Sequence, residues 1–285
     1  MENAALELMD VSKHYTDFTL DHISFQVPRG CIVGLIGENG AGKSTTIHTV
    51  LGLTHKDGGT VSLLGETDPD KICRDQIGVV FDGNNYPEML TPAQLGKVFK
   101  NIYHSWDQDR YTKLLEHFRL PINKRLRQFS KGMKMKYAIS VAFSHNSRML
   151  ILDEATSGLD PVMRDEILDM LLDFIQDEDH SILVSSHITS DLEKIADYIV
   201  FLHNGRIVFS KPKDELLDCY GIIKCGGALF DKIDKKEIIA YRKMDYEWQI
   251  LVENRQAVQK KYPDALVTPA TIDEIMLMYV KGEVS

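Results

Sequence analysis

The sequence predicts an α/β fold: a largely parallel sheet wrapped by helices, a helical subdomain inserted between its strands, and a small α+β extension at the C-terminal end. Three observations predict it. Short apolar runs at residues 31–36, 77–81 and 149–152 have the length and composition of buried parallel strands. The first run leads through a glycine-rich turn into a helical pattern. Past residue 212 the texture changes to short strand-like segments and one final helix.

In chain order, residues 6–11 alternate as a strand should, and Phe18 to Val27 reads as a second strand. Pro28-Arg29-Gly30 turns into the apolar strand 31–36. Gly37-Glu38-Asn39-Gly40-Ala41-Gly42-Lys43-Ser44-Thr45 follows and fits the phosphate-loop pattern G-x-x-x-x-G-K-[S/T]. A helix is expected from Thr46 to Leu53, with Ile47, Val50 and Leu51 on one face and Gly52 near its end. Strand, glycine turn and helix is the context that the motif needs. Its glycines let backbone N–H groups point at phosphate oxygens, and the helix start adds partial positive charge. Lys43 can reach the β- and γ-phosphates, and the Ser44 hydroxyl can hold Mg²⁺.

Lys56-Asp57-Gly58-Gly59 reads as a turn before a short strand at 60–64. The strand at 77–81 ends in a polar loop, Asp82-Gly83-Asn84-Asn85. From 91 to 118 the spacing of Leu95, Val98, Phe99, Ile102, Tyr111, Leu114, Leu115 and Phe118 predicts two or three helices, part of an insert of about residues 85–145. Ser130, in Phe129-Ser130-Lys131-Gly132-Met133, is placed to cap a helix running through Ala138, Val141 and Ala142. The strand at 149–152 ends in Asp153-Glu154 and leads through Ser157-Gly158-Leu159-Asp160 to a helix over 162–176. A strand at 181–185 delivers Ser186-His187 at its tip, 191–196 is helical, and 198–210 is a hairpin turned at Asn204-Gly205. A short helix at 215–218 precedes short strands at 222–223, 238–242 and 248–252. Thr271-Ile272-Asp273-Glu274 fits a capping box opening a helix over 275–281. The expected division is 1–220 and 221–285.

Composition narrows the class. Of 285 residues, 44% are apolar and 26% charged, as in soluble globular proteins, and the net charge of −9 argues against nucleic acid as a partner. No apolar run approaches the roughly 20 residues that span a bilayer, and the acidic start lacks a signal-peptide pattern. The expected location is therefore cytoplasmic, with any membrane role reached through a partner. Cys31, Cys73, Cys219 and Cys225 lack paired zinc-ligand spacing.

The chemistry lies in the strand ends. Asp153, ending a buried strand, can bind Mg²⁺ directly or through water, and Glu154 can accept a proton from an attacking water. His187, at another strand tip, can hydrogen-bond a γ-phosphate or position water. Tyr15 can stack on a base or be an ordinary half-buried aromatic at a strand end.

This ordered set resembles the ATP-binding subunit of an ATP-binding cassette (ABC) transporter, a P-loop NTPase, over about residues 4–215. Gly37 to Thr45 stands as Walker A, 149–154 as Walker B with the catalytic glutamate, Ser157 to Asp160 as the D-loop and His187 as the switch histidine. The segment 129–133 lies where the signature Leu-Ser-Gly-Gly-Gln belongs, ending in Met133 instead of glutamine. Asp82 falls at the Q-loop glutamine; it can ligate Mg²⁺ but adds negative charge and cannot donate an amide hydrogen bond.

The resemblance implies nucleotide contacts from Tyr15, Gly37, Asn39, Gly40, Gly42, Lys43, Ser44, Thr45, Ser130 and Gly132. It implies catalytic roles for Lys43, Glu154 and His187, and Mg²⁺ contacts from Ser44, Asp82 and Asp153. It further implies ATP and Mg²⁺ as ligands, a second identical or paralogous ATPase subunit paired head to tail, and a membrane permease on other chains contacting the helical insert. The short stretch from Asp82 to Ser130 and the small C-terminal addition look like ABC-2-type bacterial exporters. A soluble ABC ATPase acting on ribosomes or DNA is the alternative; those resembling it carry tandem cassettes or a long coiled coil, and this chain has neither. A guanine-reading Asn-Lys-x-Asp motif is absent.

Overall fold

The computed structural model describes residues 4–83 and 85–284; Asn84 of the expected polar loop and the acidic start at 1–3 lie outside the described residues. In order, the chain runs β1 (Ala4–His14), β2 (Thr19–Pro28), β3 (Ile32–Ile36), α1 (Lys43–Val50), β4 (Gly58–Leu63) and β5 (Ile77–Val80). The helices α2 (Pro92–Ile102), α3 (Gln108–His117) and α4 (Lys131–Ala142) follow, then β6 (Met149–Asp153), α5 (Pro161–Phe174), β7 (Ser181–Ser186), α6 (Thr189–Ile195), β8 (Tyr198–His203) and β9 (Arg206–Pro212). The last stretch holds α7 (Lys213–Cys219), β10 (Gly221–Cys225), α8 (Gly227–Phe230), β11 (Ala240–Lys243), β12 (Trp248–Val252), α9 (Arg255–Lys261), β13 (Leu266–Pro269), α10 (Ile272–Lys281) and β14 (Glu283–Val284).

The central sheet has the order β5-β6-β7-β3-β8-β9, parallel except for the β8/β9 hairpin. β3, β6 and β7 are buried along their whole length, as strands covered on both faces must be; their middles are apolar, while β6 ends in Asp153 and β7 in Ser185 and Ser186. One face carries α1 and the antiparallel sheet β2-β1-β4, packed through Val33, Leu35, Ile47, Leu6 and Val27. The other face carries α4, α5, α6 and the α2–α3 insert. Tyr111 and Tyr137 are fully buried within the insert; the Tyr111 hydroxyl donates to Pro92 O at 2.9 Å and lies 3.2 Å from that of Tyr137. Burial pushes both phenols above their ordinary range.

Residues 221–284 form an antiparallel sheet in the order β13-β10-β12-β11-β14. Helix α10, opened by the Thr271/Glu274 capping box, buries Ile272, Ile275 and Met278 in the same core as Leu192, Ile195 and Phe201. The Tyr279 ring lies 5.6 Å from that of Phe209, and Ile272 N–H donates to Glu193 Oε1 at 3.1 Å. The extension is thus docked on the face built by α6, β8 and β9.

Candidate functional site

Three strand ends build one pocket. Helix α1 starts at Lys43, three residues earlier than the sequence pattern implied, because Gly42 caps it at φ 112°, in the left-handed region. Gly37 has a different reason to lack a side chain: a Cβ there would fall 2.3 Å from Leu202 O. The loop is therefore pressed against β8, and Lys43 is fixed at its mouth. The buried Lys43 ammonium donates to Gly37 O at 2.8 Å and Glu38 O at 3.3 Å, and it stands 3.4 Å from Glu154 Oε1.

Glu154 leaves the end of β6 at φ 53°, a left-handed conformation that costs a non-glycine residue on the order of 1 kcal/mol or more. Two bonds at 3.2 Å, from its N–H to Ser185 O and Oγ, hold that turn. The turn aims the carboxylate into the pocket, where Oε2 lies 2.5 Å from His187 Nδ1. Asp153 stays buried one residue earlier, accepting a 2.5 Å bond from Ser185 Oγ. Sequence reasoning left Ser185 without this role, although the parallel register of β6 and β7 sets it directly beside Asp153.

The pocket holds about 740 Å³. Of the sequence-derived residues, Asn39, Gly40, Gly42, Lys43, Ser44 and Thr45 line one side. Tyr15, Asp82, Glu154 and His187 line the rest, together with Ser157 of the expected D-loop and with Asp17 and Phe18, which sequence reasoning missed. Tyr15 is half exposed at the rim, its ring under the Lys13 ammonium at 5.6 Å. Gly37 and Asp153 sit behind the wall, and Ser130 and Gly132 are not part of it. Ser130 is exposed and caps α4, its Oγ accepting from Met133 N–H at 3.2 Å. Asp82 also points to α4, bonded to Lys131 Nζ at 2.9 Å.

Among the described lining residues Lys43 is the one fixed cation, beside the carboxylates of Asp17, Asp82 and Glu154. A hydroxyl and carboxylate oxygens are a hard donor set of the kind Mg²⁺ takes. Among the described residues no cluster of three or more His, Cys, Asp or Glu is arranged to hold a metal alone. The set therefore fits Mg²⁺ shared with substrate phosphates rather than caged by protein.

A family profile described as "ABC transporter" matches residues 20–157. "Lantibiotic transport ATP-binding protein SrtF" of Streptococcus pyogenes is 32% identical over 212 residues, covering 73% of this chain and 91% of its own length. This chain belongs to the family of ABC transporter ATP-binding proteins. "Nod factor export ATP-binding protein I" of Cupriavidus pinatubonensis is 32% identical over 223 residues, 75% of this chain and 68% of that protein. A solved structure described as "Structure of ATP binding subunit of ABC transporter" is 33% identical, with a TM-score of 0.67 over 74% of this chain and 91% of that one. ABC ATPase domains of this family bind nucleotide on an α/β core. Among the described residues no helix is long and apolar enough to cross a membrane.

Proposed function

We propose that the chain is the ATP-hydrolysing subunit of an exporter, working at the cytoplasmic face of a membrane with a permease on separate chains. One observation carries the reading: Lys43 and His187 flank the Glu154 carboxylate at 3.4 and 2.5 Å inside one pocket. Lys43 neutralises β- and γ-phosphate charge, and phosphate arrival draws its ammonium from Glu154. Glu154, released on that side, accepts the proton of the attacking water. His187 keeps the carboxylate aimed and donates a hydrogen bond to the γ-phosphate. Ser44, Asp153 directly or through water, and Asp82 would hold Mg²⁺, which would supply charge neutralisation at the phosphates.

Ser130 and Gly132 stand exposed or half-exposed outside this pocket. They therefore serve the pocket of a second subunit, whose nucleotide becomes part of the interface. ATP binding then closes the dimer and hydrolysis reopens it. The relative named for Nod factor export supports outward transport. The test is Glu154→Gln: ATP should convert the purified variant from monomer to dimer while turnover falls at least about 100-fold. A variant that stays monomeric at saturating ATP and Mg²⁺, or that still turns over at the wild-type rate, sinks the reading.

A further inference from the structure

The signature segment contains a residue for which the family motif offers no role. Its third position, glycine in Leu-Ser-Gly-Gly-Gln, is Lys131 here. Lys131 lies between Ser130 and Gly132, so an ammonium accompanies the two groups assigned to a neighbouring subunit's nucleotide. Within its own subunit that ammonium bonds Asp82 Oδ1 at 2.9 Å. Asp82 also lines the subunit's own phosphate pocket.

Three features make this bond exchangeable. The side chains are 54% and 48% exposed, so water screens the pair and its net contribution is small. The Lys131 stem runs over Gly158, where a Cβ would meet its Cδ at 3.4 Å and its Nζ at 3.9 Å; the absent side chain leaves the lysine room to pivot. Asp82, Gly83, Lys131 and Lys134 border a second cavity of about 380 Å³, which gives the ammonium space to leave the carboxylate. Lys134 is held elsewhere, at 2.8 Å from Glu88.

We propose that Lys131 is a further phosphate-binding residue, held in cis by Asp82 and transferred in trans to the nucleotide on the partner subunit when the dimer closes. The Asp82 carboxylate and the partner's phosphate compete for one ammonium. Asp82 therefore restrains closure, and Lys131 rewards it only once the bond to Asp82 is given up. This rests on the shared-nucleotide dimer proposed above.

The experiment is sedimentation of Glu154→Gln protein with ATP and Mg²⁺, in five forms: parent, Lys131→Ala, Lys131→Arg, Asp82→Asn and the Lys131→Ala/Asp82→Asn double variant. Nucleotide affinity of each is read separately, with a fluorescent ATP analogue at dilutions where the protein is monomeric. Lys131→Ala should weaken ATP-driven association at least about tenfold, with monomer affinity unmoved, and Lys131→Arg should restore it, as expected for a charge contact with phosphate. Asp82→Asn should tighten association when Lys131 is present; when Lys131 is alanine the substitution removes only the Asp82 contact to Mg²⁺ and should give no tightening. Association indifferent to Lys131→Ala, or an Asp82→Asn effect of equal size with and without Lys131, overturns the proposal and leaves the shared dimer standing. A parent that never associates overturns both.

Discussion

Glu154 Oε2 lies 2.5 Å from His187 Nδ1, joining the end of β6 to the tip of β7. The bond is possible because Glu154 adopts φ 53° instead of continuing the strand. His187→Ala removes the group that aims the carboxylate while leaving Lys43 and the loop in place. Turnover is expected to fall about 100-fold or more, with KM for ATP changed by much less. Steady-state kinetics decide it: a variant that loses affinity and keeps kcat would assign His187 to ground-state binding.

Lys43 is buried, and its partners besides Glu154 are carbonyl oxygens of its own loop. Lys43→Ala leaves those carbonyls and Glu154 without a cation and takes the fixed positive charge from the pocket. Binding of ATP should weaken at least about tenfold, since a charge-assisted phosphate contact is among the stronger hydrogen bonds. Calorimetric titration measures this, and wild-type affinity in the variant would show that the backbone N–H groups alone carry the phosphates.

Asp57 anchors the chain just before Tyr15. The His14 backbone N–H, 2.6 Å away, and then the Lys13 ammonium at 3.1 Å hold its carboxyl down at about 2. A carboxyl depressed on folding contributes stability above its unfolded pKa and loses it as pH falls toward the folded value. The contribution is therefore complete above about pH 4 and fades between there and pH 2. Denaturant unfolding at stepped pH should show wild type and Asp57→Asn converging across that window; a constant gap down to pH 2 would remove Asp57 as the cause.

Much of this was legible in the sequence because phosphate chemistry imposes local patterns. Glycines with a lysine, acids after an apolar strand and a histidine at a strand tip each advertise themselves. The bend at Glu154 was not legible, because nothing in a Glu-Ala step signals a left-handed residue; the two Ser185 bonds hold it there. The Asp82–Lys131 bond joins residues 49 positions apart and follows from how the insert packs, which spacing does not encode. Helix α9 and strand β13 escaped notice because they bury little: Val258 alone in α9, and in β13 no residue fully.

The docking of α10 carries its own consequence. Ile275 is fully buried in the core shared with α6 and β8. Ile275→Ala should cost about 2–5 kcal/mol and lower the unfolding midpoint of the whole chain in a single transition. Calorimetry reads this directly. Two separated transitions, with the ATPase part melting at the wild-type temperature, would make residues 221–284 an independent unit.

The central claim is that one subunit's loop and another's signature segment complete a single site, and complementation tests it most directly. Lys43→Ala keeps Ser130 and Gly132 intact, whereas Ser130→Glu keeps Lys43, Glu154 and His187 intact; each should be inactive alone. Mixed, they should recover ATPase activity well above the sum of the two, since half of the sites in a mixed dimer are whole. A mixture no more active than its components, under conditions where wild-type protein hydrolyses ATP, would contradict the claim.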